Sequence, residues 1–237
     1  MVQYNVNTNP TVEFRISVRP SPETNDHEVV LLGAGENLID RFSKKMMGLD
    51  PDHLLVEPCP LRANEIARIA TIGRCGCGEV GCGSVEVEIS REQAAVKWRS
   101  LSSPLEVQFD VSQYDAEVER ALQDHRWETP DRMAARLIRA AIDKTALGSR
   151  GFMFSWASGR CREGMMTVAL MLSPGPYQVL VNLPWDGKSV ENIVDQFALL
   201  LRVEPASWPE VEWYPQAQQL GPPPFEGAGW RTGRSKR

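Results

Sequence analysis

The sequence predicts an α+β protein with one or more largely antiparallel sheets and about four helices packed on them. Three observations carry this. Short runs alternate apolar and polar residues, as where Val85, Val87 and Ile89 interleave with Ser84, Glu86 and Glu88, the pattern of a half-buried strand. A few longer segments place apolar residues at helical spacing. Strands and helices also come in groups rather than in strict alternation, which disfavours a parallel, doubly wound sheet.

Residues 11–18 alternate and form a first strand, stopped at Pro20. Residues 27–32 form a second, ending at Gly33-Ala34-Gly35. Residues 37–47 are a short amphipathic helix candidate with Leu38, Ile39 and Phe42 on one side and Gly48 at its exit. Asp50-Pro51-Asp52 is turn chemistry, and residues 53–56 suit a brief strand. Residues 63–73 fit either a helix or a strand. Residues 85–89 and 94–99 form a hairpin, and residues 105–109 follow as a strand.

Ser112 to Asp115 suits a capping box that opens a helix with the stripe Tyr114, Val118, Ala121 and Leu122. Thr129-Pro130-Asp131 starts another, burying Met133, Leu137, Ala140 and Ala141 and leaving at Gly148. Strands at 151–156, 165–172 and 177–183 come next, the last two punctuated by Pro174-Gly175-Pro176. Ser189 caps a final helix carrying Ile193, Phe197 and Leu200. The chain thus divides into a β-rich lobe over 1–127, a helix–strand–strand–strand–helix lobe over 128–215, and a Pro/Gly-rich basic tail over 216–237. The tail has few core formers and reads as disordered or loosely draped, with Phe225 and Trp230 as anchors.

Composition excludes several function classes. The 237 residues carry a net charge of -5, so no global field favours nucleic acid or anionic membranes. No apolar run approaches the roughly 20 residues that span a bilayer, and residues 1–7 lack the basic and apolar parts of a signal peptide. The expected location is the cytoplasm, where thiols stay reduced. Five cysteines, an odd number, also argue against a fully paired disulfide framework.

The chemically unusual segment is Arg74-Cys75-Gly76-Cys77-Gly78-Glu79-Val80-Gly81-Cys82-Gly83. Its glycines permit positive φ, letting the backbone fold several sulfurs toward one point. Zinc takes four ligands in a tetrahedron, with thiolates at roughly 2.3 Å. Cys75, Cys77 and Cys82 supply three. Cys59 is the nearest candidate for the fourth, with Cys161 and His53 as other choices. Two further readings stand beside metal binding. The segment is a glycine-rich turn whose cysteines pack as small hydrophobes, or it is a redox site in which Cys75 or Cys77 bridges Cys82.

The spacing Cys75-Gly76-Cys77-Gly78-Glu79-Val80-Gly81-Cys82 resembles the post-SET zinc knuckle that follows the catalytic domain of many lysine methyltransferases. There, three cysteines at this spacing join a fourth from the preceding domain. The resemblance covers only this loop, and no Asn-His-Ser cofactor motif precedes it, so it implies metal binding without methyltransferase activity. The stretch through Trp98 also resembles bacterial proteins bearing a Cys-x-Cys-Gly-x-x-Gly-Cys hairpin, which implies no activity.

Other motifs point to structure. Gly33-Ala34-Gly35 follows a strand, but Leu38 stands where a dinucleotide fingerprint needs its third glycine. Arg132, Arg136 and Arg139 line the exposed side of the Thr129 helix, diluted by Glu128, Asp131 and Asp143. His27, His53 and His125 stand in no catalytic or metal-binding motif. The expectation is therefore a non-catalytic bacterial protein of immunity or adaptor type, binding another protein and holding a structural zinc knuckle. The alternative is a thiol- or zinc-dependent enzyme using the Cys75/Cys77/Cys82 loop.

Overall fold

The computed structural model describes residues 10–20, 27–77, 82–172, 177–215, 222–225 and 227–233. The chain splits into two compact units, Met1–Trp127 and Glu128–Arg237. The described residues form three sheets, mostly antiparallel, and six α-helices, so the α+β class holds.

In the first unit, β1 (Phe14–Pro20), β2 (His27–Gly33) and β3 (Glu36–Asn37) make a three-stranded sheet. A second sheet runs in the order β4 (Met46–Gly48), β5 (Arg68–Cys75), β6 (Ser84–Glu92), β7 (Ala95–Ser100) and β8 (Glu106–Asp110). Helix α3 (Val111–Gln123) buries Tyr114, Val118 and Ala121. Its cap is Asp110, whose carboxylate accepts the Gln113 amide, in place of the Ser112 box. Phe14, Trp98, Phe109 and Tyr114 stack at the centre of the core, with ring centroids 4.7 to 6.2 Å apart.

The free edge of β1 is covered by side chains of α3. Gln113 accepts the Phe14 amide and donates to its carbonyl, Glu117 accepts the Ile16 amide at 2.6 Å, and Arg120 donates to the Ile16 carbonyl. A helix face thus stands in for a missing strand and blunts an edge open to aggregation. Glu117 is buried, which pushes its carboxyl up. Arg120 and the Ile16 amide outweigh burial and hold it below the ordinary carboxylate range.

Three sequence expectations change here. The helix of 37–47 shrinks to α1 (Leu38–Phe42), because Lys45 takes a φ of 66° and Met46 and Met47 pair with β5 instead. Residues 53–56 are not a strand: Asp50 caps α2 (Pro51–Leu54), with Pro51 in the first turn, where its missing N–H is harmless. Residues 63–73 resolve as strand β5 from Arg68 onward.

In the second unit the sheet order is β13 (Trp230–Thr232), β12 (Val211–Pro215), β11 (Tyr177–Pro184), β10 (Met165–Leu172) and β9 (Phe152–Ser158). One face of β10 and β11 packs with α4 (Pro130–Ala141), α5 (Lys144–Ser149) and α6 (Val190–Leu200) into a single apolar core. Helix α4 is rotated from its expected orientation. Ala134 and Ile138 are buried, while Met133, Ala140 and Ala141 are exposed. The arginines turn with it. Arg132 is buried, Arg136 pairs with Glu128 at 2.6 Å, and Arg139 lies 5.7 Å from the centre of the Phe154 ring. They form no solvated basic stripe.

The described part of the tail is not loosely draped. Strand β13 adds parallel to β12, Trp230 stacks on buried Trp208, and Phe225 meets Phe152. Glycine serves close approach here: a Cβ at Gly227 would sit 1.8 Å from the Ala206 carbonyl oxygen, and one at Gly229 2.3 Å from that of Pro209. The expectations for 174–176, for 216–221 and for the conformations of Gly78 and Gly81 fall outside the described residues. Among the described residues, no helix is long and apolar enough to cross a membrane.

Candidate metal centre on the first unit

Strand β5 carries a bulge between Thr71 and Gly73. Past it, Gly73 lies opposite buried Val85, and a Cβ on it would meet Ile39 and Val85 side chains of the core. Successive strand residues alternate faces, so Cys75 continues the core-facing row at the rim. The Cys75 amide donates to the Gly83 carbonyl at 3.0 Å and closes the hairpin, while Met46 is the direct cross-strand partner of Cys75 on β4. Met46, Cys75 and Gly83 thus lie in one row across three strands.

The hairpin brings three sulfurs together. The Sγ atoms of Cys75, Cys77 and Cys82 all lie within 4.8 Å of one another. Cys75 is half-buried, and Cys77 and Cys82 are exposed. The Cys77 amide points at the Cys75 sulfur, 3.4 Å away. Ligands about 2.3 Å from a tetrahedral ion stand about 3.8 Å from each other, so small side-chain rotations bring these thiols to metal-binding distance. Among the described residues the donor set is three thiols, without carboxylate or imidazole, and it fits a thiophilic ion. Hydrogen bonds from Cys77 and Cys75, with repulsion between neighbouring thiolates, push the Cys82 thiol up to about 11. Ionising one thiol raises the cost of ionising the next, a penalty that a bound cation removes.

Neither Gly76 nor Gly83 has positive φ. Gly83 leaves room for Met46: a Cβ there would lie 2.9 Å from the Met46 methyl, which would have to shift, and 3.8 Å from the Cys75 Cβ.

The expected fourth ligand is not among the converging sulfurs. Cys59 is fully buried in the first unit's core, and its thiol donates to the Leu54 carbonyl at 3.2 Å. Burial pushes that thiol up. Its backbone bonds Glu57 and Arg68, so Cys59 ties a loop to the core as a small hydrophobe. His53 lies on α2 outside the cluster, and Cys161 belongs to the second unit. Local spacing pointed to the three loop cysteines. It contained no signal for Met46, which reaches the site from a neighbouring strand.

The second unit has a cleft of about 640 Å³ on the sheet face away from its helices. Arg162 and Arg231 both contact Glu210 and Glu212, at 2.7 to 3.3 Å. Tyr214 donates to Glu212, and buried Thr167 donates to buried Asn182. Burial pushes the Glu212 carboxyl up, but Arg231, Tyr214 and Arg162 hold it below its ordinary range. Burial and Glu212 together raise the Tyr214 hydroxyl. Both shifts move away from neutrality, so neither group is poised for proton transfer there.

Compared with protein-family models, curated proteins and solved structures, the chain matches none.

Proposed function

We propose that the protein is a non-catalytic binding protein of adaptor or immunity type whose β5–β6 hairpin tip is organised by a thiolate-bound metal ion. One observation carries the reading: three cysteine sulfurs within 4.8 Å of one another at the end of a hairpin. Holding exposed thiols this close has a physical use when a cation neutralises them, and zinc is the ion that the post-SET resemblance implies. Bound there, it would cross-link a seven-residue connection (76–82) and fix the tip as a rigid surface. Zinc would be structural in this setting, because among the described residues no Glu or His stands with the sulfurs to activate a bound water.

Support for the protein-binding half comes from the outer side of the same lobe. Ile66 and Ile69 are 83% and 62% exposed, an unusual placement for two isoleucines three residues apart. Tryptophan, a residue enriched at interfaces, adds little to this, since Trp98 and Trp208 are fully buried and Trp213 nearly so.

The test is elemental analysis of protein purified without chelator. One metal ion per chain, lost in Cys77→Ser/Cys82→Ser, is expected; substoichiometric metal in the native chain ends the metal reading. A pull-down from the native cell that returns no stable partner counts against the adaptor role. The enzyme reading has one observation in its favour. Three ligands leave a zinc ion an open position, the arrangement that catalytic sites use.

A further inference from the structure

Resting on the metal reading above, we propose that Met46 supplies the fourth donor as a thioether, and that the site takes monovalent copper in preference to zinc. Met46 lies opposite Cys75 on β4, and Gly83 lies on the far side of Cys75, immediately before β6. Neighbouring strands stand about 4.8 Å apart, so β4 and β6 are separated by two such spacings. Yet the Met46 methyl is 2.9 Å, and its sulfur 4.0 Å, from where a Gly83 Cβ would be. To reach that point the side chain must cross over Cys75, whose own Cβ lies 3.8 Å from the same position. The thioether therefore passes beside Cys75, next to the residue that carries Cys82 into the strand.

Chemistry then selects the ion. Three thiolates alone suit several soft or borderline metals. A thioether is a weak, polarisable, uncharged donor that adds little to zinc, and it belongs to the soft ligand class that favours Cu(I). Among the described residues, no imidazole or carboxylate stands in the cluster to favour a harder ion. Gly83 keeps the path open: a side chain there would displace the methionine. Binding is a simple exchange in which Cu(I) enters as the thiols release their protons, with no change of oxidation state.

The experiment compares the native full-length chain with Met46→Leu, Met47→Leu and Cys77→Ser/Cys82→Ser. Leucine conserves volume, so the fold should survive, which thermal unfolding checks. Met47 is the control, because its neighbouring strand position faces the other side of the sheet. Cu(I) is supplied anaerobically as its acetonitrile complex and competed against bicinchoninate; zinc is competed against a fluorescent chelator. The expected result is that Met46→Leu weakens Cu(I) about tenfold or more and leaves zinc within about twofold. Met47→Leu should change neither, and copper-edge X-ray absorption should show one sulfur scatterer fewer in Met46→Leu. Equal Cu(I) affinity in the native chain and Met46→Leu, with metal still lost in the double cysteine variant, overturns this inference and leaves the metal reading intact. Tighter zinc than Cu(I) binding in the native chain also overturns it. Failure of the native chain to bind either ion overturns both.

Discussion

The hairpin of the first unit and the cleft of the second both gather reactive side chains from separate segments, and they differ in what those side chains are bonded to. In the cleft, two arginines meet two glutamates, a tyrosine meets one of those glutamates, and a buried threonine meets a buried asparagine. Charges cancel within the group and the shifts of Glu212 and Tyr214 deepen their resting states. In the hairpin, three thiols converge chiefly on one another, and the proximity of Cys77 and Cys75 makes Cys82 harder to ionise. A recess beside α3 behaves like the cleft, since Arg120 and Arg126 both close on Asp124. Convergence by itself therefore does not mark a site. The hairpin is a candidate because its three sulfurs lie close enough together to hold one metal ion.

The largest expected effect concerns metal-linked stability. At free zinc about 100 times Kd, binding to the folded state alone should stabilise the first unit by about 2.7 kcal/mol. Thermal unfolding with and without zinc should show that gain in the native chain and none in Cys77→Ser/Cys82→Ser. An equal gain in both would move the metal away from the hairpin.

Next in size is Glu117→Ala, which leaves the buried Ile16 amide without its acceptor and should cost about 1–3 kcal/mol. Metal stoichiometry should stay unchanged. The folded Glu117 carboxyl titrates below its ordinary value of 4.5. Its stabilisation is therefore complete above about pH 4.5 and is lost as pH falls through the folded value. Denaturant unfolding at a series of acidic pH values should show that slope in the native chain and a flatter one in the variant. Here a buried acid serves the fold, as the cleft's polar groups do.

Cys59→Ala should cost about 1 kcal/mol through lost packing and leave one metal per chain. Loss of metal in this variant would restore Cys59 as a ligand. The smallest effect belongs to the cleft. Glu212→Gln should cost less than about 1 kcal/mol, because its arginine partners are about half exposed. The native contribution is present above pH 4.5 and declines as pH drops through the depressed folded value. Equilibrium unfolding of both forms at neutral and acidic pH measures it. A loss of several kcal/mol would show the cleft network to be a structural keystone.

Much of the fold was legible because strand period and helix period are local properties. The run 165–172 is strand β10 as expected, and Val85, Val87 and Ile89 line the core from β6. What failed was set by distant partners. Residues 53–56 have an apolar run but follow a capped proline turn, and Met46 and Met47 left a helical pattern to pair with β5. Helix α4 misled because Arg132 is buried, Arg136 is held by Glu128 and Arg139 lies by the Phe154 ring, so charge was a poor guide to its outer face. The tail's glycines resembled those of a disordered segment, yet two of them let the chain pass close to backbone carbonyls.

The candidate site was legible to the extent that chelation is local. Cys75, Cys77 and Cys82 fall within one turn of chain, and the hairpin closes them into a group. Cys59 is close in sequence but belongs to a loop anchored into the core, and sequence distance does not report that anchoring. Met46 comes from a strand whose register became visible only in the folded sheet.

The most direct measurement is the absorption spectrum of the chelator-stripped chain titrated with cobalt(II). Cobalt bound by the hairpin thiolates should give intense sulfur-to-metal charge transfer and tetrahedral ligand-field bands that saturate at one ion per chain. These bands should vanish in Cys77→Ser/Cys82→Ser and persist in Cys59→Ala. A spectrum indistinguishable from aqueous cobalt, or one unchanged by the double substitution, would contradict a metal centre at Cys75, Cys77 and Cys82.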